Sequence, residues 1–380
     1  MAVGGGSGGH VTPVVAVFRE IKSRRPKAEI RFWCDFKFSD QARSLLNDFD
    51  PTTRLDRIVS GKLRRYHHLT VFRQLVWPKL VLLNIRDSFL VGIGFIQSIY
   101  KLLVWRPDVI FAKGGYVCLP VGLAAKILGI PLVIHDSDAY PGLTSRILSK
   151  WAVSIATGAP LENYDYPTNI SRYIGIPISA EFHLMSQDER VSAKKKWDVD
   201  RNKPLIVITG GGLGAKRIND AVVEVLPQLT RICSVILVGG TLQYDELRAL
   251  TPQNNESFQL YPFISEGMAS LLGAADIVIA RAGATTILEL AALHKPTILI
   301  PNAKLTGGHQ IKNAQVYTRT KAVEILDEGT VVDKPDLLVE SVSNLLTDKA
   351  RLSKLANNIA DFARPQAASD MVDMIIDAAG

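Results

Sequence analysis

Short apolar runs recur along the chain, and each ends in small or polar residues before a stretch with helical periodicity. Runs of this form stand in "PDVIFAKGG", "IPLVIHDSD", "SVILVGG", "ADIVIARAG" and "KPTILIP". Short, uninterrupted apolar runs are typical of strands that are buried on both faces of a parallel sheet. Their alternation with helices predicts an α/β fold with doubly wound parallel sheets, in which ligands gather at the carboxyl ends of the strands.

Two glycine-rich loops divide the chain into similar halves. Gly4–Gly9 fits the pattern G-x-G-x-x-G and Gly210–Ala215 fits G-x-G-x-x-A, each between a predicted strand and a predicted helix. Because 380 residues exceed one typical hydrophobic core, we predict two Rossmann-like domains, at 1–174 and 175–364. A helix at about 365–380 is predicted to pack back on the first domain. Lys194–Lys196 are predicted to lie on a solvated helix surface.

The composition is that of a globular protein, with 47% hydrophobic and 21% charged residues. Cys34, Cys118 and Cys233 are far apart, and none belongs to a C-x-x-C pair. A disulfide framework or a zinc site is therefore not expected. The net charge of +7 favours an anionic partner, such as a nucleic acid, a membrane surface or a phosphorylated ligand.

A basic and apolar segment from Arg57 to Arg86 helps to choose between these partners. It contains seven Lys or Arg residues, no Asp or Glu, and several Leu, Val, Phe and Trp. This mixture is typical of interfacial membrane contact, although a solvated helix face over a core is the alternative. Proline and charges interrupt the best apolar window, so no membrane-spanning helix is predicted, and no nucleic-acid-binding motif accompanies the charge. The predicted membrane contacts are Arg64, Arg65, Phe72, Leu75, Trp77 and Lys79.

The glycine loops indicate a phosphorylated ligand, because helix N-termini offer free N–H groups and the positive end of a dipole. Two such loops facing each other across a cleft would suit a diphosphate. A nicotinamide dinucleotide is an alternative, with Asp35 as the acid for its ribose, but the second half supplies no matching acid after "SVILVGG". Asp136 and Asp138 form a D-x-D pair that a metal-dependent sugar transferase would use, although similar pairs occur elsewhere in the chain.

Five segments resemble the MurG family of glycosyltransferases, in the family's order. They are "GGGSGGHVTP", "FAKGGYVCLPVGLAAKILGIPLVIHDSDAYPGLTSRIL", "ITGGGLGAKRIND", "FISEGMASLLGAADIVIARAGATTILELAALHKPTILIP" and "GGHQIKNA". The resemblance implies the GT-B architecture, in which two Rossmann-like domains face each other across a cleft. It also implies an inverting transfer that needs neither a metal nor a cofactor. N-acetylglucosamine would move from UDP-GlcNAc to the 4-hydroxyl of the muramoyl sugar of lipid I, an undecaprenyl diphosphate, to give lipid II.

The resemblance further implies a place in the cell and a process. Family members are peripheral proteins on the cytoplasmic face of the cell membrane, where the anionic surface and the polyprenyl-linked acceptor are their partners. They act in peptidoglycan synthesis, and so in cell-wall biogenesis, cell shape and cell division.

Residues at the loops take roles from the same resemblance. His10 matches the family's proposed base, since a neutral imidazole near pH 7 can accept a hydroxyl proton, and Asp136 is a candidate for supporting it. Glu289 would accept hydrogen bonds from the ribose hydroxyls, Ile264 would contact uracil through its backbone, and Gln310 would bind the donor sugar. The implied acceptor-side residues are Gly114, Gly115 and Tyr116, and the implied donor contacts are Ser7, Gly8, Gly9, Asp138, Ser179, Gly211, Gly212, Gly214, Ile264, Ala284, Thr285, Glu289 and Gln310.

The chain departs from the family pattern at three places. The family's "HEQN" reads "HDSD" at 135–138, its Arg in "GNPVR" is Ser179, and its "GGSQGA" reads "GGGLGA" at 210–215. These changes place an acid near the donor and remove a cation that is expected near the diphosphate. The alternatives that stay open are a diacylglycerol glycosyltransferase, an NAD-dependent oxidoreductase and a membrane scaffold without catalysis.

Overall fold

The chain divides into two compact units, each with its own sheet. Its structure, a computed structural model, describes residues 1–5, 11–64, 77–212, 214–252, 255–302 and 308–380. The first unit is Met1–Ser179 together with Arg364–Gly380, and the second is Ala180–Ala363. Each unit holds one parallel sheet with helices packed on it, so the predicted α/β class with two doubly wound sheets is confirmed.

The sheet of the first unit has seven strands within the described residues. They are β1 (Ala2–Gly4), β2 (Arg31–Cys34), β3 (Arg54–Arg57), β4 (Ile110–Gly114), β5 (Leu132–Asp136), β6 (Ser154–Thr157) and β7 (Ser171–Tyr173). All neighbours pair in parallel, in the order β3-β2-β1-β4-β5-β6-β7. The strand order reverses between β1 and β4, and the crevice at such a switch point is where open α/β sheets bind ligands.

The helices of the first unit surround this sheet. In the described residues up to Ser179 they are α1 (Thr12–Arg24), α2 (Ser39–Asn47), α3 (Pro78–Val104), α4 (Cys118–Leu128) and α5 (Leu143–Leu148), with a 3₁₀ turn at Leu161–Asn163, and the last helix of the chain joins them. Helix α1 starts with Pro13 in its first turn, where a missing N–H costs no hydrogen bond. Its Val14, Val17 and Phe18 recur at helical spacing and are buried in the core.

Helix α3 is 27 residues long, and its two faces differ. One face packs on α4, and Gly94 lies so close to the backbone of Val59 that a Cβ there would collide with the carbonyl oxygen. By length and composition α3 could cross a membrane, because its best 18-residue window has a mean hydropathy of 1.4 and is only 17% buried. The expectation that proline and charges rule out a helix of this kind was wrong, because Pro78 lies in the first turn and the helix continues through Arg86 and Asp87. The other face carries exposed apolar side chains, which we call the apolar stripe: Leu82, Ile85, Phe89, Ile93, Ile96, Tyr100 and Leu103.

The sheet of the second unit has six strands within the described residues. They are β8 (Leu205–Thr209), β9 (Ser234–Val238), β10 (Phe258–Tyr261), β11 (Ile277–Ala280), β12 (Thr297–Leu299) and β13 (Glu324–Ile325). The order is β10-β9-β8-β11-β12-β13, again all parallel, with the switch point between β8 and β11. Every residue of β8 and β11 is buried, which is why these strands read as uninterrupted apolar runs in the sequence.

Nine helices accompany this sheet in the described residues. They are α6 (Gln187–Lys196), α7 (Lys216–Ile232), α8 (Tyr244–Leu250), α9 (Met268–Ala274), α10 (Ala284–Ala292), α11 (His309–Arg319), α12 (Glu328–Asp333), α13 (Asp336–Thr347) and α14 (Lys349–Ala360). The last helix of the chain, α15 (Ala367–Ala379), belongs to the first unit. Its Met371 and Ile375 share a core cluster with Val14 and Phe18 of α1.

Candidate active site

The carboxyl ends of β1 and β4 are in direct contact at the switch point of the first sheet. The N–H of Gly5 donates to the carbonyl oxygen of Gly114 at 3.3 Å. Gly115 has φ +90°, and a Cβ on it would collide with the carbonyl oxygen of Gly5. The structure therefore brings the predicted acceptor-side glycines against the start of the first glycine loop. The loop residues Ser7, Gly8, Gly9 and His10 lie outside the described residues.

Tyr116, the third predicted acceptor-side residue, is half-buried and hydrogen-bonds Asp35 through its hydroxyl. Burial is the main reason that the pKa of this hydroxyl is raised, and the bond to Asp35 adds to the effect. The Asp35 carboxylate also accepts the N–H groups of Lys37 at 3.0 Å and Phe38 at 3.2 Å. Asp35 is only 3% exposed. It is thus engaged by its own unit, which weakens the case for Asp35 as the ribose acid of a nicotinamide dinucleotide.

Asp136 ends β5 as a buried acid. The hydroxyl of Tyr166 donates to its Oδ2 at 2.8 Å, and the hydroxyl of Ser145 also contacts the carboxylate. Burial raises the pKa of Asp136 to about 7, although the hydrogen bond from Tyr166 acts in the opposite direction. The turn after β5 is held by its neighbour as well, since the N–H of Gly158 donates to the carbonyl oxygen of Asp136 at 2.8 Å.

Lys113, near the end of β4, is a buried cation beside this acid. Lys113 as a residue is 1% exposed, and its ammonium donates to Oγ of Ser137. Burial lowers the pKa of Lys113 to about 8, while the carboxylates of Asp136 and Asp138 oppose that shift. Sequence reasoning missed Lys113, and the available signal was a lysine between an apolar run and two glycines in "FAKGG". Asp138 is half-buried, and its carbonyl oxygen accepts the hydroxyl of Tyr164 at 2.7 Å.

Among the described residues, the D-x-D pair has no third side chain placed to share a metal ion with it. Within the ranges that the structure describes, no three His, Cys, Asp or Glu side chains are grouped so that they could hold a metal ion. Among described groups, both carboxylates lie near the ammonium of Lys113, and that of Asp136 also accepts the hydroxyl of Tyr166.

The second glycine loop turns tightly after β8. Gly211 and Gly214 have φ of +84° and +78°, and the N–H of Gly214 donates to the carbonyl oxygen of Gly211 at 2.9 Å. A Cβ on Gly214 would collide with the carbonyl oxygen of Gly239 at the end of β9, so this position requires glycine for conformation and for space. Leu213 lies outside the described residues. Gly212 lies beside the ring of Phe263, which precedes the half-buried Ile264.

The loop between β11 and α10 is fixed by a buried ion-pair network. The guanidinium of Arg281 bonds the carboxylate of Glu328 and donates to the carbonyl oxygen of Ile300 at 3.0 Å. Arg217 of α7 pairs with the same Glu328 at 2.8 Å. Ala284 and Thr285 then form the first turn of α10, as predicted for a helix start. Sequence reasoning missed this network because its members are far apart in the chain.

Glu289 lies one turn further along α10 and is half-buried. Its carboxylate has no hydrogen-bond or ion-pair partner among the described residues. Loss of hydration raises the pKa of Glu289 to about 7. A carboxylate in this state is an acceptor without a donor, and a ligand that offers hydroxyl groups would satisfy it.

Gln310 stands in the first turn of α11, close to the same loop. Its Oε1 accepts the N–H of Asn302 at 2.8 Å, so its carbonyl oxygen is used within the protein. Asn313, also on α11, donates to the carbonyl oxygen of Ala282 at 3.2 Å. The described donor-side residues after β8, β11 and β12 therefore lie at one edge of the second sheet. Asp138 and Ser179 belong to the first unit.

Comparisons with known proteins agree with this fold and these loops. Residues 1–157 match the glycosyltransferase family 28 N-terminal domain, and residues 205–371 match its C-terminal domain. A protein of Acetivibrio thermocellus is 32% identical over 98% of this chain and 96% of its own length. A protein of Flavobacterium psychrophilum is 32% identical over 98% and 95%. Both are named UDP-N-acetylglucosamine–N-acetylmuramyl-(pentapeptide) pyrophosphoryl-undecaprenol N-acetylglucosamine transferase. The chain belongs to the MurG family.

Solved structures extend the comparison to the fold. MurG of Acinetobacter baumannii matches with a TM-score of 0.73 and 25% identity, over 99% of both chains. A UDP-GlcNAc 2-epimerase of Neisseria meningitidis matches with a TM-score of 0.68 at 13% identity, over 99% of both chains, and shares the fold alone. The predicted GT-B fold and the predicted glycosyltransferase activity are confirmed.

Two of the departures from the MurG family pattern lie in the first unit. The acids of "HDSD" occur together with a buried lysine, Lys113, which faces both carboxylates. Ser179, in place of the family's arginine, is the last residue of the first segment of the first unit, directly before the second unit begins at Ala180. Lys113 of β4 thus balances part of the negative charge at the end of β5.

The predicted membrane contacts of this MurG-family chain are only partly described. Arg65, Phe72 and Leu75 lie outside the described residues. Trp77 and Lys79 are exposed at the start of α3. The guanidinium of Arg64 pairs with the buried carboxylate of Asp87, which Arg86 also contacts at 2.7 Å. The acid just beyond the basic segment therefore balances part of its charge.

Proposed function

We propose that this protein transfers N-acetylglucosamine from UDP-GlcNAc to the muramyl sugar of a polyprenyl diphosphate, forming lipid II from lipid I. The observation that carries the proposal is similarity over nearly the whole chain to transferases of that name, at 32% identity. The residues at the two sheet edges supply the N–H donors, the carboxylate acceptor and the base that this reaction needs.

The donor nucleotide belongs at the carboxyl edge of the second sheet. The N-terminus of α10 and the N–H of Gly212 in the second glycine loop offer donors to the diphosphate, while the N–H groups of Gly211 and Gly214 are bonded within the turn. Glu289 accepts the ribose hydroxyls, a role that its unpaired carboxylate supports. Ile264 contacts uracil through its backbone, and the side-chain amide of Gln310 reaches the sugar.

The acceptor belongs at the carboxyl edge of the first sheet, beside Gly114, Gly115 and Tyr116. In the reaction the 4-hydroxyl oxygen attacks the anomeric carbon from the face opposite UDP. The bond from that carbon to the diphosphate oxygen breaks, UDP leaves with the electron pair, and His10 takes the hydroxyl proton. The configuration at the anomeric carbon inverts. Asp136, held by Tyr166, supports the turn that borders this site.

We further propose a peripheral position on the cytoplasmic face of the membrane. The apolar stripe of α3 would enter the acyl boundary, and Lys79 and Arg86 would meet anionic head groups. The polyprenyl chain of the acceptor lies in the same bilayer, so contact with its surface brings the enzyme to its substrate.

The test is a panel of UDP-sugars with two acceptors, the muramyl-pentapeptide polyprenyl diphosphate and diacylglycerol, scored by product mass. We expect a product heavier by one N-acetylhexosamine from the muramyl acceptor, UDP-GlcNAc as the preferred donor, and the same rate after chelation of metals. Transfer to diacylglycerol alone, or transfer from none of the UDP-sugars, would contradict the proposal.

A further inference from the structure

A cleft of about 520 Å³ lies along the edge strand β3, bordered by the residue Phe36 after β2, by α2 and by Lys101 of α3. This volume is in the range of small-ligand sites. Its apolar lining includes Phe36, whose side chain is 55% exposed, and Leu55. An aromatic ring exposed to this degree inside a concave surface is available for contact with a ligand.

Three cations line the same cleft, and they differ in how far they are already paired. Lys101 bonds Asp56 at 2.7 Å, and both side chains are largely buried. Arg43 donates to the carbonyl oxygen of Thr53 at 3.1 Å, which uses one of its five N–H groups.

Arg57 is the cation whose donors are open to a ligand. Its side chain is 52% exposed, and its nearest acid, Asp40, is 3.7 Å away and almost fully exposed. A long, solvated pair of this kind contributes little to stability. The guanidinium also lies 6.0 Å from the centre of the Phe36 ring. Cation and aromatic ring thus stand together at the mouth of the cleft, a combination that suits a carboxylate next to an apolar side chain.

The cleft adjoins the predicted acceptor-side residues. Asp35, which hydrogen-bonds Tyr116, directly precedes Phe36 in the chain. Strand β2 is the neighbour of β1, and β3 is the next strand outward. At about 5 Å per strand, the cleft begins within roughly 5–10 Å of the end of β1. An extended peptide of five residues spans up to about 17 Å, so a peptide attached to a sugar beside Gly115 reaches the cleft.

We propose that this cleft binds the peptide of the acceptor. Arg57 takes a carboxylate of the peptide, and Phe36 packs against an apolar side chain. The inference rests on the proposed function, because the acceptor in the relatives' name carries a pentapeptide on its muramyl sugar. The cleft recognises a carboxylate group, and the peptide is the part of the acceptor that supplies one.

The experiment compares wild-type protein with Arg57→Ala on two acceptors that share lipid, diphosphate and muramyl sugar, one with the pentapeptide and one without. We expect Arg57→Ala to lower kcat/KM for the peptide-bearing acceptor about 10–100-fold, the effect of losing a charge-assisted hydrogen bond. The peptide-free acceptor and the KM for UDP-GlcNAc should not change. Arg25→Ala, which removes an exposed arginine outside the cleft, is the matched control. Equal losses on both acceptors, or no loss on either, would overturn the proposal.

A second measurement separates this proposal from the proposed function. The probe is the soluble muramyl pentapeptide without its lipid, titrated into wild-type protein and into Arg57→Ala. Weaker binding by the variant supports the cleft as a peptide site, even if no sugar transfer is observed. Equal binding by the two proteins, or no binding to either, overturns it while leaving the transfer reaction unaffected.

Discussion

Glu289 keeps an ionisable carboxylate at a half-buried position where the described residues offer it no donor. A buried charge without a partner destabilises the folded protein, and the raised pKa of Glu289 is the same effect seen in titration. Residues that are unfavourable in the free protein and become satisfied by a ligand are typical of binding sites. This is the physical reason for assigning the ribose to Glu289.

Replacement of Glu289 by Gln should change stability and donor binding in opposite directions. The pKa of the folded state is raised from 4.5 to about 7, so the folded protein holds this proton more tightly than the unfolded chain. Stability is therefore lost as pH rises through that window. At pH 8 we expect Glu289→Gln to melt at a higher temperature than wild type and to bind UDP-GlcNAc about 10–100-fold more weakly. Thermal melting and titration calorimetry measure the two effects.

We also expect the binding of UDP-GlcNAc to depend on pH in wild type but not in Glu289→Gln. Ribose hydroxyls stabilise the ionised carboxylate, so the affinity of wild type for UDP-GlcNAc should fall as pH drops below about 7. Glu289→Gln should show no such change, and Glu340→Gln, an exposed acid on α13, should behave like wild type. UDP-GlcNAc is the better probe because it lacks the terminal phosphate of UDP, which itself titrates near pH 6. Unchanged affinity in Glu289→Gln would exclude the ribose contact.

His10 lies outside the described residues, and its role rests on the resemblance to the MurG family. We expect His10→Ala to lower kcat about 10²–10⁴-fold, the usual contribution of a general base, with donor affinity nearly unchanged. Steady-state kinetics and UDP-GlcNAc titration check this. Turnover near the wild-type rate would remove His10 from the mechanism.

Residue-scale predictions from the sequence succeeded where chemistry is local and failed where partners are remote. The helix start at Ala284 follows from the pattern "RAGATTILEL". The contact of Tyr166 with Asp136 joins two different elements, and no local pattern encodes it. Lys194 was predicted to be solvated and is instead buried, with its ammonium 3.0 Å from Asp276. The prediction for Lys194 was wrong because its partner Asp276 is far away in the chain, and helical periodicity around Lys194 carries no information about it.

At the scale of elements, α3 shows why a sequence with apparent interruptions still forms one long helix. Pro78 stands in the first turn, where proline is tolerated. The buried Asp87 is neutralised by Arg64 and Arg86, so its carboxylate does not break the helix or the packing. The sequence showed the basic residues but not this pairing. It also showed the apolar residues, but not which face of the helix the fold would cover.

The apolar stripe should carry membrane binding. We expect Phe89→Ser with Ile96→Ser to weaken binding to anionic vesicles by about 10-fold or more, because two exposed side chains lose their transfer to the acyl boundary. Lys79→Gln should reduce binding mainly at low salt and lessen its salt dependence. Vesicle co-sedimentation across a salt series measures both.

The control for the stripe is Leu242→Ser, since Leu242 is 79% exposed in the second unit. It should leave vesicle binding unchanged. Equal vesicle binding by the stripe variant and wild type would exclude α3 as the membrane contact.

At the scale of the whole molecule, the sequence predicted two doubly wound units because the same motif of strand, glycine loop and helix opens each half. Buried parallel strands have a strong signature in single sequences, and the central strands β4 and β5 of the first sheet and β8 and β11 of the second show it. The sheet orders place the carboxyl ends of β1 and β8, after which the glycine loops follow in the sequence, at switch points. A nicotinamide-dependent enzyme would have the same kind of fold. That alternative is weakened because the carboxylate of Asp35, its proposed ribose acid, already accepts the N–H groups of Lys37 and Phe38.

The central claim is that the donor nucleotide binds at the carboxyl edge of the second sheet. A crystal structure of the protein with UDP bound tests it most directly. The account predicts uracil beside the backbone of Ile264, both ribose hydroxyls on Glu289, and the diphosphate at Gly210–Gly214 and the start of α10. A nucleotide seated at the end of β2, with its ribose on Asp35, would contradict it.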